Sequence, residues 1–501
     1  MKYIFRLCNL VILGVILQGL YFLLLVYTLA NLSPLMYFIM SAFGIFCVFF
    51  IISGRDTAVY RLSWSVAILL FPAVMGMVYI FCIRRKTRRK ITQSRSAEDC
   101  APYPENVNNE RLARYIEKTT GTPPATYTDA EYFPVGEDFQ RRFLEELNSA
   151  RKYIFIEFFL IEQGKMWSEI LEVLTRKLGE GVKIRVMYDG FATLYTLPRR
   201  YYKTLRKMGI ECQVFNPVRR LLSFRVNTRN HRKIAVIDGT TAFCGGLNFA
   251  DNYINAKPKV NTGHWKDSAV MVKGQAAWDF TLSFLAMWEF VTRESCRGGF
   301  PRPTENETYT TVGRGSPTLR NVASVWHDLP LDNESVSEQI FLNFITRAND
   351  YVYIITPYLS PSEEIMSALG AAAKAGTDVR ILLPFIPDKI IPNAIAKSNY
   401  LPLLEAGVRL FEYPPGFIHS KNIVADDERA AVSTVNFDYR SLYMHHECGI
   451  CFYGEKIIAD IKRDFTQTQS VSHEITLEAH MKTGIFTRGA RRVCRIFAPL
   501  V

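Results

Sequence analysis

Two stretches of eight residues, HRKIAVID at 231–238 and HSKNIVAD at 419–426, share one pattern in a chain of 501 residues. Both fit H-x-K-x-x-x-x-D, and the matching residues are His231, Lys233 and Asp238 in the first and His419, Lys421 and Asp426 in the second. Alternate residues of a β-strand share a face, so we expect each histidine to point the same way as its lysine from a strand. Two such motifs indicate a duplicated catalytic element, and we predict that all six of these residues are catalytic.

The segments before the two motifs are also alike. The similar pairs are 153–159 with 351–357, 181–186 with 376–381, and 209–215 with 407–413, at offsets of 198, 195 and 198 residues. In each copy, short β-branched or aromatic runs alternate with helical stretches, such as those at 166–178 and 363–375. This order predicts two α/β lobes related by pseudo-twofold symmetry, each with a largely parallel or mixed sheet. A site at the junction of the lobes would take equivalent residues from both.

Paired histidines and lysines suit the chemistry of a phosphodiester. One imidazole can attack phosphorus and form a covalent intermediate. The other can donate a proton to the leaving alkoxide and later accept one from an alcohol, while the lysines stabilise charge on the nonbridging oxygens. The sequence has no Walker-type loop and no carboxylate cluster suited to magnesium, so we expect no metal and no other cofactor. These residues leave open which histidine attacks.

Four further polar residues follow the motifs in register. Asn248 ends GGLN at 245–248 and Asn436 ends STVN at 433–436, and both amides can donate to phosphate oxygens. Asp267 and Glu447 then stand where strands are expected to start. A carboxylate bonded to an imidazole fixes its tautomer and favours the imidazolium, so we predict that these two orient the histidines. Salt bridges at strand ends are the alternative.

The basic residues of the chain are concentrated at its two ends. The formal net charge is +12, of which residues 1–90 carry +9 and residues 481–501 carry +5, so the rest is slightly acidic. An acidic body does little to neutralise a polyanion, and nucleic acid is therefore not an expected partner. The tail at 481–501 mixes cations with apolar residues, which predicts a segment on an anionic membrane surface, with a solvated basic helix as the alternative.

Three uncharged apolar runs open the sequence, at about 10–30, 35–53 and 63–83. Each has about the length that a helix needs to span a hydrocarbon core of roughly 30 Å. Six of the seven residues at 84–90 are basic, which predicts a multi-pass protein of the cell membrane with its catalytic part on the cytoplasmic face. Two spans instead of three remain an alternative if the first run does not cross.

The remainder of the chain divides by composition into four parts. We expect a linker at 91–125, a first lobe at 126–310, a second lobe at 311–480 and the basic tail beyond it. The ten cysteines are scattered, and the lone C-x-x-C at 448–451 has no second pair to complete a zinc site. Buried, reduced thiols are the expected state of these cysteines.

The paired motifs resemble those of the phospholipase D superfamily, and the closer resemblance is to bacterial cardiolipin synthases. It rests on RNHRK at 229–233, FCGGLN at 243–248, WKD at 265–267, TPY at 356–358, GFIHSK at 416–421 and NFDYRS at 436–441, together with the segments 55–64 and 495–500. The resemblance implies that two phosphatidylglycerol molecules are joined into cardiolipin with release of glycerol through a phosphatidyl-enzyme, and it favours His231 as the attacking residue.

Two features depart from that family. Ser433 stands where the family usually has glycine, and His445-His446 stand where Asn-Phe often precedes the glutamate. Donor preference or rate could therefore differ. A hydrolytic phospholipase D, a phosphatidyltransferase with another donor lipid and a catalytically inactive membrane scaffold are the alternatives, and the sequence does not give the oligomeric state.

Overall fold

The computed structural model describes residues 33–54, 58–82, 111–217, 228–257, 263–300, 302–304, 321–330, 334–453, 455–496 and 498. The chain forms two compact units, one up to Lys86 and a larger one from Thr87 to Pro499. The apolar run predicted at 10–30 and the basic run at 84–90 lie outside the described residues.

The described part of the N-terminal unit is helical, with α1 Ser33–Ile52, α2 Ala58–Leu70 and α3 Pro72–Cys82. The run at 35–53 is one helix, but the prediction of a single helix over 63–83 is wrong. The helix is interrupted at Phe71, because Pro72 lacks a backbone N–H and disfavours helical geometry in the residue before it. Among the described helices, none combines the length and the apolar character needed to cross a bilayer.

The larger unit alternates strands and helices. Its first part contains α4 Arg111–Thr120, β1 Ala125–Phe133, α5 Gly136–Ser149, β2 Tyr153–Phe158, α6 Lys165–Gly179, β3 Lys183–Asp189, α7 Tyr201–Lys207, β4 Glu211–Phe215, β5 Arg229–Asn230, β6 Lys233–Ile237, β7 Thr241–Gly245, β8 His264–Lys266, β9 Ala269–Gly274 and α8 Gln275–Thr292. The helices predicted at 166–178 and 363–375 are both confirmed, as α6 and as a helix of the second part.

The second part repeats this order. It contains β10 Val322–Asp328, α9 Val336–Thr346, β11 Tyr351–Ile355, β12 Leu359–Ser360, α10 Glu363–Lys374, β13 Asp378–Pro384, α11 Ile390–Ser398, α12 Tyr400–Glu405, β14 Arg409–Tyr413, β15 Gly416–Ile418, β16 Asn422–Ala425, β17 Arg429–Ser433, β18 Phe437–Asp438, α13 Tyr439–Tyr443, β19 His445–Phe452, α14 Glu455–Ser470, β20 His473–Ile475, α15 Leu477–Met481 and α16 Ile485–Ile496.

One mixed sheet runs through both lobes. Its order is β20-β14-β13-β11-β16-β17-β19-β10-β1-β9-β7-β6-β2-β3-β4. From β14 to β10 this order matches the order from β4 to β1, strand for strand, and the two halves meet where β1 and β10 pair antiparallel. The two-lobed α/β fold predicted from the repeat is therefore confirmed, and the palindromic order is the pseudo-twofold relation.

Apolar side chains cover both faces of this sheet. On one face, α8 and α14 bring Phe280, Phe284 and Phe465 into a core that extends across the lobe junction. Phe284 stacks on Phe155 of β2 with 4.7 Å between the ring centroids. On the other face each lobe has a core of its own. Because one core is shared, burial of its apolar area holds the two lobes together.

The first described helix of the larger unit belongs to the second lobe. The sequence predicts a linker at 91–125, but α4 occupies part of it and buries Leu112 and Ile116 in the core that contains Trp326 and Phe341. Apolar residues four apart share one face of a helix, which explains why this short polar segment still packs. The chain thus contributes to the second lobe before it builds the first.

Four of the cysteines predicted to be reduced and buried lie in this unit as buried cysteines outside any disulfide: Cys212, Cys244, Cys448 and Cys451. Cys244 of the first lobe and Cys448 of the second have their sulfurs 3.8 Å apart across the junction. The C-x-x-C pair lies within β19, and the alternation of a strand turns Cys448 and Cys451 to different faces.

Short strands exchanged between the lobes lead into each motif. β5 of the first lobe pairs in parallel with β19 of the second, and β15 of the second pairs in parallel with β8 of the first. Gly416 of β15 approaches β8 so closely that a Cβ there would lie 1.9 Å from the carbonyl oxygen of His264. Each histidine motif is therefore positioned by a strand of the opposite lobe.

Candidate active site

The motif histidines lie directly before strands rather than within them. His231 falls between β5 and β6, and His419 falls between β15 and β16, so the prediction that each pair projects from one strand is wrong in this detail. The reason is that the opposite lobe takes up their backbone hydrogen bonds. The N–H of His231 donates to the carbonyl of His446 at 2.9 Å, and that of His419 donates to Lys266 at 2.7 Å.

Each histidine side chain contacts a carboxylate of the other lobe. His231 Nδ1 lies 2.9 and 3.0 Å from the two carboxylate oxygens of Glu447, and His419 Nδ1 lies 2.6 Å from Oδ2 of Asp267. Both carboxylates are fully buried. The structure thus brings the two predicted orienting residues to the two histidines, and it pairs them crosswise, which no sequence pattern states. With Nδ1 engaged, Nε2 of each ring is left for a substrate.

The two lysines are buried beside their histidines. Lys233 Nζ donates to the carbonyl of His231 at 2.6 Å, and Lys421 Nζ lies 2.9 Å from Nδ1 of His419 and donates to its carbonyl. Burial lowers the pKa of Lys233 to about 7 and that of Lys421 to about 8, although the nearby carboxylates oppose this shift. A negatively charged phosphoryl oxygen beside these amines would likewise raise their pKa and favour the protonated, positively charged form.

Burial makes the two halves of the site electrostatically different. It holds the pKa of His231 well below its usual range, and Lys233, Lys421 and His419 add to this effect. Residues of the second lobe are thus close enough to act on a histidine of the first. Burial also raises the pKa of Asp267, beside His419, to about 7. A neutral imidazole at His231 has its lone pair available for attack.

A hydroxyl distinguishes the Glu447 half from the Asp267 half. Thr434 donates to the Glu447 carboxylate and accepts from the N–H of Cys448 at 3.0 Å. The equivalent position in the first lobe is Gly246, where a Cβ would lie 2.1 Å from Oδ1 of Asp267. Only the sequence difference between GGLN and STVN signals Thr434, and its contact with the glutamate arises from the tertiary structure.

The two predicted phosphate-binding amides are both buried near the site. Asn248 accepts from the N–H of Leu160 at 3.1 Å and donates to the hydroxyl of Tyr253 at 2.6 Å. The Tyr253 ring in turn packs edge-on to His419 at 5.5 Å between centroids. Burial raises the pKa of Asp438, and a hydrogen bond from Asn436 opposes that rise. These asparagines hold neighbouring groups in place within the described structure.

The motif aspartates do not join the histidines. Asp238 follows the end of β6 and accepts from the N–H groups of Arg151, Lys152 and Tyr153 at 2.7 to 2.8 Å. Asp426 does the same for residues 349–351. The strand between Lys233 and Asp238 advances about 3.3 Å per residue, which separates the aspartate from the site. The prediction that these two residues are catalytic is corrected, because they close turns.

Aromatic rings that sequence reasoning missed line the two histidines. Phe159 packs against the His231 ring at 4.8 Å, and Trp265 lies 5.6 Å from the His419 ring. Lys233 Nζ also lies over the Phe159 ring at 5.4 Å from its centroid. Phe159 ends the repeated segment 153–159 and Trp265 begins the family-like stretch WKD, but neither pattern assigns its aromatic ring to the site.

The two departures from the family pattern occupy different environments. Ser433 of β17 faces Gly449 of β19. At the equivalent place in the first lobe, Gly245 of β7 faces Ala269 of β9. In both lobes a glycine thus pairs with a residue that has a side chain. His446 is fully buried, with its ring 5.2 Å from that of Phe215. His445 instead faces the site, and its ring centroid is 5.4 Å from that of His231.

A cleft lies beside the second histidine. Its volume is about 270 Å³, counting space open to solvent, and its lining includes Tyr358, Asp388, Lys389 and Phe417. Phe417 packs on the His419 ring at 5.9 Å between centroids, and Lys389 is close enough to lower the pKa of His231. The cleft therefore lies next to an aromatic side chain that packs on His419, and its lining includes a cation.

Comparisons with known proteins identify the family of the chain. The family described as "Cardiolipin synthase, PLD-like domain" matches residues 143–275 and 341–469, one match in each lobe. The chain belongs to this family. A cardiolipin synthase of Halalkalibacterium halodurans is 30% identical over 88% of this chain and 88% of its own, and an uncharacterized protein of Streptococcus mutans is 37% identical over 91% and 99%.

The fold also matches a solved structure. Phosphatidylserine synthase of Haemophilus influenzae superposes with a TM-score of 0.57 at 15% identity, and the match covers 78% of this chain and 98% of that one. At this identity the likeness concerns the fold alone. It shows that the two-lobed arrangement of this cardiolipin synthase family member occurs in another solved protein.

We predict that Asp238→Ala destabilises the protein without acting on the site directly. Removing a charged acceptor leaves three backbone N–H groups without their partner and should lower the free energy of unfolding by about 3 kcal/mol. Asp138→Ala is the matched control, because Asp138 forms an exposed pair with Arg141, which contributes little. Denaturant unfolding measures both variants. Equal stability of the two would contradict the role of Asp238 in closing its turn.

Proposed function

We propose that this chain is a cardiolipin synthase that transfers a phosphatidyl group between two phosphatidylglycerol molecules and releases glycerol. The observation that carries the proposal is the crosswise arrangement of two histidines, each bonded at Nδ1 to a carboxylate of the other lobe and each beside a buried lysine. Two imidazoles at the junction of the lobes match the needs of a double displacement at phosphorus. Membership in the cardiolipin synthase family supports the substrate class.

In the first step, Nε2 of His231 attacks the phosphorus of the donor phosphatidylglycerol. The low pKa of His231 supports this assignment, because the neutral ring is the nucleophile. The bond between phosphorus and the headgroup glycerol breaks, and His419 as imidazolium gives its proton to the glycerol oxygen. Asp267 stabilises that imidazolium, while Lys233 and Lys421 stabilise the nonbridging oxygens. The products are free glycerol and a phosphatidyl-histidine.

In the second step, the acceptor phosphatidylglycerol takes the place of glycerol. Neutral His419 now removes the proton from a free hydroxyl of the acceptor headgroup, and the resulting oxygen attacks phosphorus. The bond between phosphorus and His231 breaks, which releases cardiolipin and restores both histidines to their starting states. The acceptor must exclude water from the cleft beside Phe417 and Tyr358, since water in its place gives phosphatidic acid.

We expect His231→Ala and His419→Ala to lower cardiolipin formation by at least about a hundredfold, because each removes a nucleophile or a proton carrier. Purified full-length protein is incubated with labelled phosphatidylglycerol in detergent micelles containing a chelator, and cardiolipin, glycerol and phosphatidic acid are quantified. His473→Ala, which changes an exposed histidine far along the chain, is the control and should keep the parent rate. A phosphatidyl group trapped on the parent enzyme should map to His231 and be absent from His231→Ala.

Two outcomes would contradict this function. Phosphatidic acid as the main product would identify a hydrolytic phospholipase D. Unchanged rates in both alanine variants would show that the paired histidines are not the reacting groups.

We also predict that kcat/KM falls as pH rises above about 7 to 8. The buried Lys233 and Lys421 have pKa values of about 7 and about 8, so they lose the positive charge that stabilises the phosphoryl oxygens in this range. This parameter reports the ionisation of the free enzyme. A pH–rate profile at constant ionic strength measures it. A profile that stays flat up to pH 10 would show that these lysines do not need their charge or keep it longer than their burial implies.

The proposal includes attachment of the enzyme to the membrane that contains its substrate. Support comes from α1, a helix without charged residues. Its apolar side chains Phe38, Ile39, Phe46 and Phe49 are exposed. Exposed apolar patches of this kind mark surfaces that contact lipid or another protein. Gly76 meets the Phe43 ring so closely that a Cβ would lie 2.6 Å away, the close approach typical of packed membrane helices. A multi-pass N-terminal segment with a cytoplasmic catalytic unit is the arrangement we propose.

A second membrane contact is proposed for α16. Ile485, Phe486 and Val493 are exposed on one side of this helix, and Phe486 is 91% exposed. Arg488, Arg491, Arg492 and Arg495 occupy the other positions, as a helix lying on an anionic surface requires. α11 packs against α16 and adds exposed Ile390 and Ile391. Residues of α11 also line the cleft. Contact of α16 and α11 with lipid would thus bring the cleft close to the bilayer.

We expect anionic lipid to protect α16 from trypsin. Full-length protein is reconstituted into vesicles rich in phosphatidylglycerol or made of phosphatidylcholine alone, and cleavage after Arg491 and Arg492 is followed by mass spectrometry. Protection should appear only with the anionic lipid and be lost when Ile485→Asp and Phe486→Asp are combined. Val471→Asp, at an exposed apolar residue outside α16, is the control. Equal cleavage in both kinds of vesicle would contradict the membrane contact.

A further inference from the structure

His445 adds a second imidazole to the pair formed by His231 and Glu447. One atom each from His231, His445 and Glu447 lie within 4.8 Å of one another. His445 Nδ1 is 3.7 Å from Oε1 of Glu447, which is too long for a hydrogen bond, and the two histidine rings are 5.4 Å apart between centroids. The mechanism proposed above uses His231 and Glu447 but gives His445 no part.

The ring nitrogens of His445 make no hydrogen bond of normal length within the described residues, although Glu447 lies nearby. The His445 side chain is 12% exposed. A buried polar group without a partner loses its bonds to water and gains none in exchange. Its position beside another imidazole and a carboxylate therefore points to a ligand that all three side chains share.

We propose that His231, His445 and Glu447 bind a first-row transition-metal ion, with zinc the fitting example, and that the bound ion blocks the enzyme. The regulatory part of this proposal rests on the proposed function, because the ion would occupy His231. Two imidazoles and one carboxylate with an open fourth position form an established type of zinc ligand set. The open position would accept water or a phosphate oxygen.

The charges around the group favour a metal that binds nitrogen over one that binds by charge alone. Lys233 and Lys421 lie close to His231 and repel a divalent cation. Magnesium and calcium depend on several oxygen ligands, and the group offers only one carboxylate. Zinc, copper, nickel and cobalt gain more from imidazole nitrogen. The group should therefore select such an ion and leave magnesium unbound.

Only small side-chain movements are needed to close the group around an ion. Ligand atoms on one tetrahedral zinc ion lie about 3.3 Å apart, given bonds of roughly 2.0–2.1 Å. His231 and Glu447 already approach each other to 2.9 Å, and His445 has to move by on the order of 1 Å toward them. The ion would take a lone pair of the His231 ring and part of the Glu447 carboxylate. Attack on phosphorus would then stop.

The test measures metal binding directly, with cobalt as a visible probe. Full-length protein in detergent is stripped with a chelator, dialysed and titrated with Co²⁺, and the visible absorption band of a low-coordinate cobalt–histidine site is recorded. The parent and His446→Phe should show the band with one ion per chain, and zinc should displace it. His445→Asn should lose it. His446 is the matched control because it is a neighbouring buried histidine packed against Phe215 and is not part of the ligand group.

Enzyme activity is the second measurement, and for each variant the rate with zinc is compared with its own rate in chelator. Zinc at about ten times its Kd leaves roughly a tenth of the sites free, so cardiolipin formation by the parent should fall about tenfold relative to chelator, while His445→Asn should not respond. Thermal unfolding verifies that His445→Asn is folded, and His445→Gln replaces it if it is not.

Each result decides one of the two proposals. Absence of cobalt binding in the parent, or binding that persists in folded His445→Asn, overturns the metal site. Cobalt binding that depends on His445 in a protein that forms no cardiolipin would preserve the metal site and reject the proposed function. Binding without inhibition by zinc would overturn the regulatory part.

Discussion

Each histidine of the site depends on a carboxylate that the opposite lobe supplies. Glu447 reaches His231 from the second lobe, and Asp267 reaches His419 from the first. A carboxylate that bonds one ring nitrogen fixes the tautomer and direction of the other, so neither lobe alone could hold its histidine ready to react. The shared core beneath α8 and α14 and the exchanged strands β5 and β15 serve this one requirement, because they fix the lobes in a single relative position.

The symmetry of the scaffold leaves room for two different chemical roles. The strand order is palindromic, yet equivalent positions of the two lobes carry different residues: Thr434 corresponds to Gly246, and Glu447 corresponds to Asp267. Burial keeps His231 neutral, while the carboxyl beside His419 has a raised pKa. Two groups with different proton affinities are what a nucleophile and a proton carrier need. His445 adds to this asymmetry, because it stands two residues before Glu447, whereas Trp265 stands two residues before Asp267.

Much of this organisation could be predicted from the repeat. Nearly constant offsets between similar segments established two α/β lobes and placed His231, Lys233, His419 and Lys421 at their junction. The same reasoning failed for Asp238 and Asp426, because a motif records which residues recur together and does not record why. Their recurrence reflects a turn that three backbone N–H groups require. Helix α4 was missed for a related reason: its polar composition hid one apolar face.

The sequence by itself determined the duplicated α/β architecture, the two histidine–lysine pairs and the concentration of positive charge at the chain ends. These features are local or periodic, and composition and spacing record them directly. The tertiary structure alone decided that the orienting carboxylates are exchanged between lobes, that Phe159 and Trp265 line the histidines, and that His445 faces His231. Such contacts join residues as many as 216 positions apart, and only the folded sheet sets their distance.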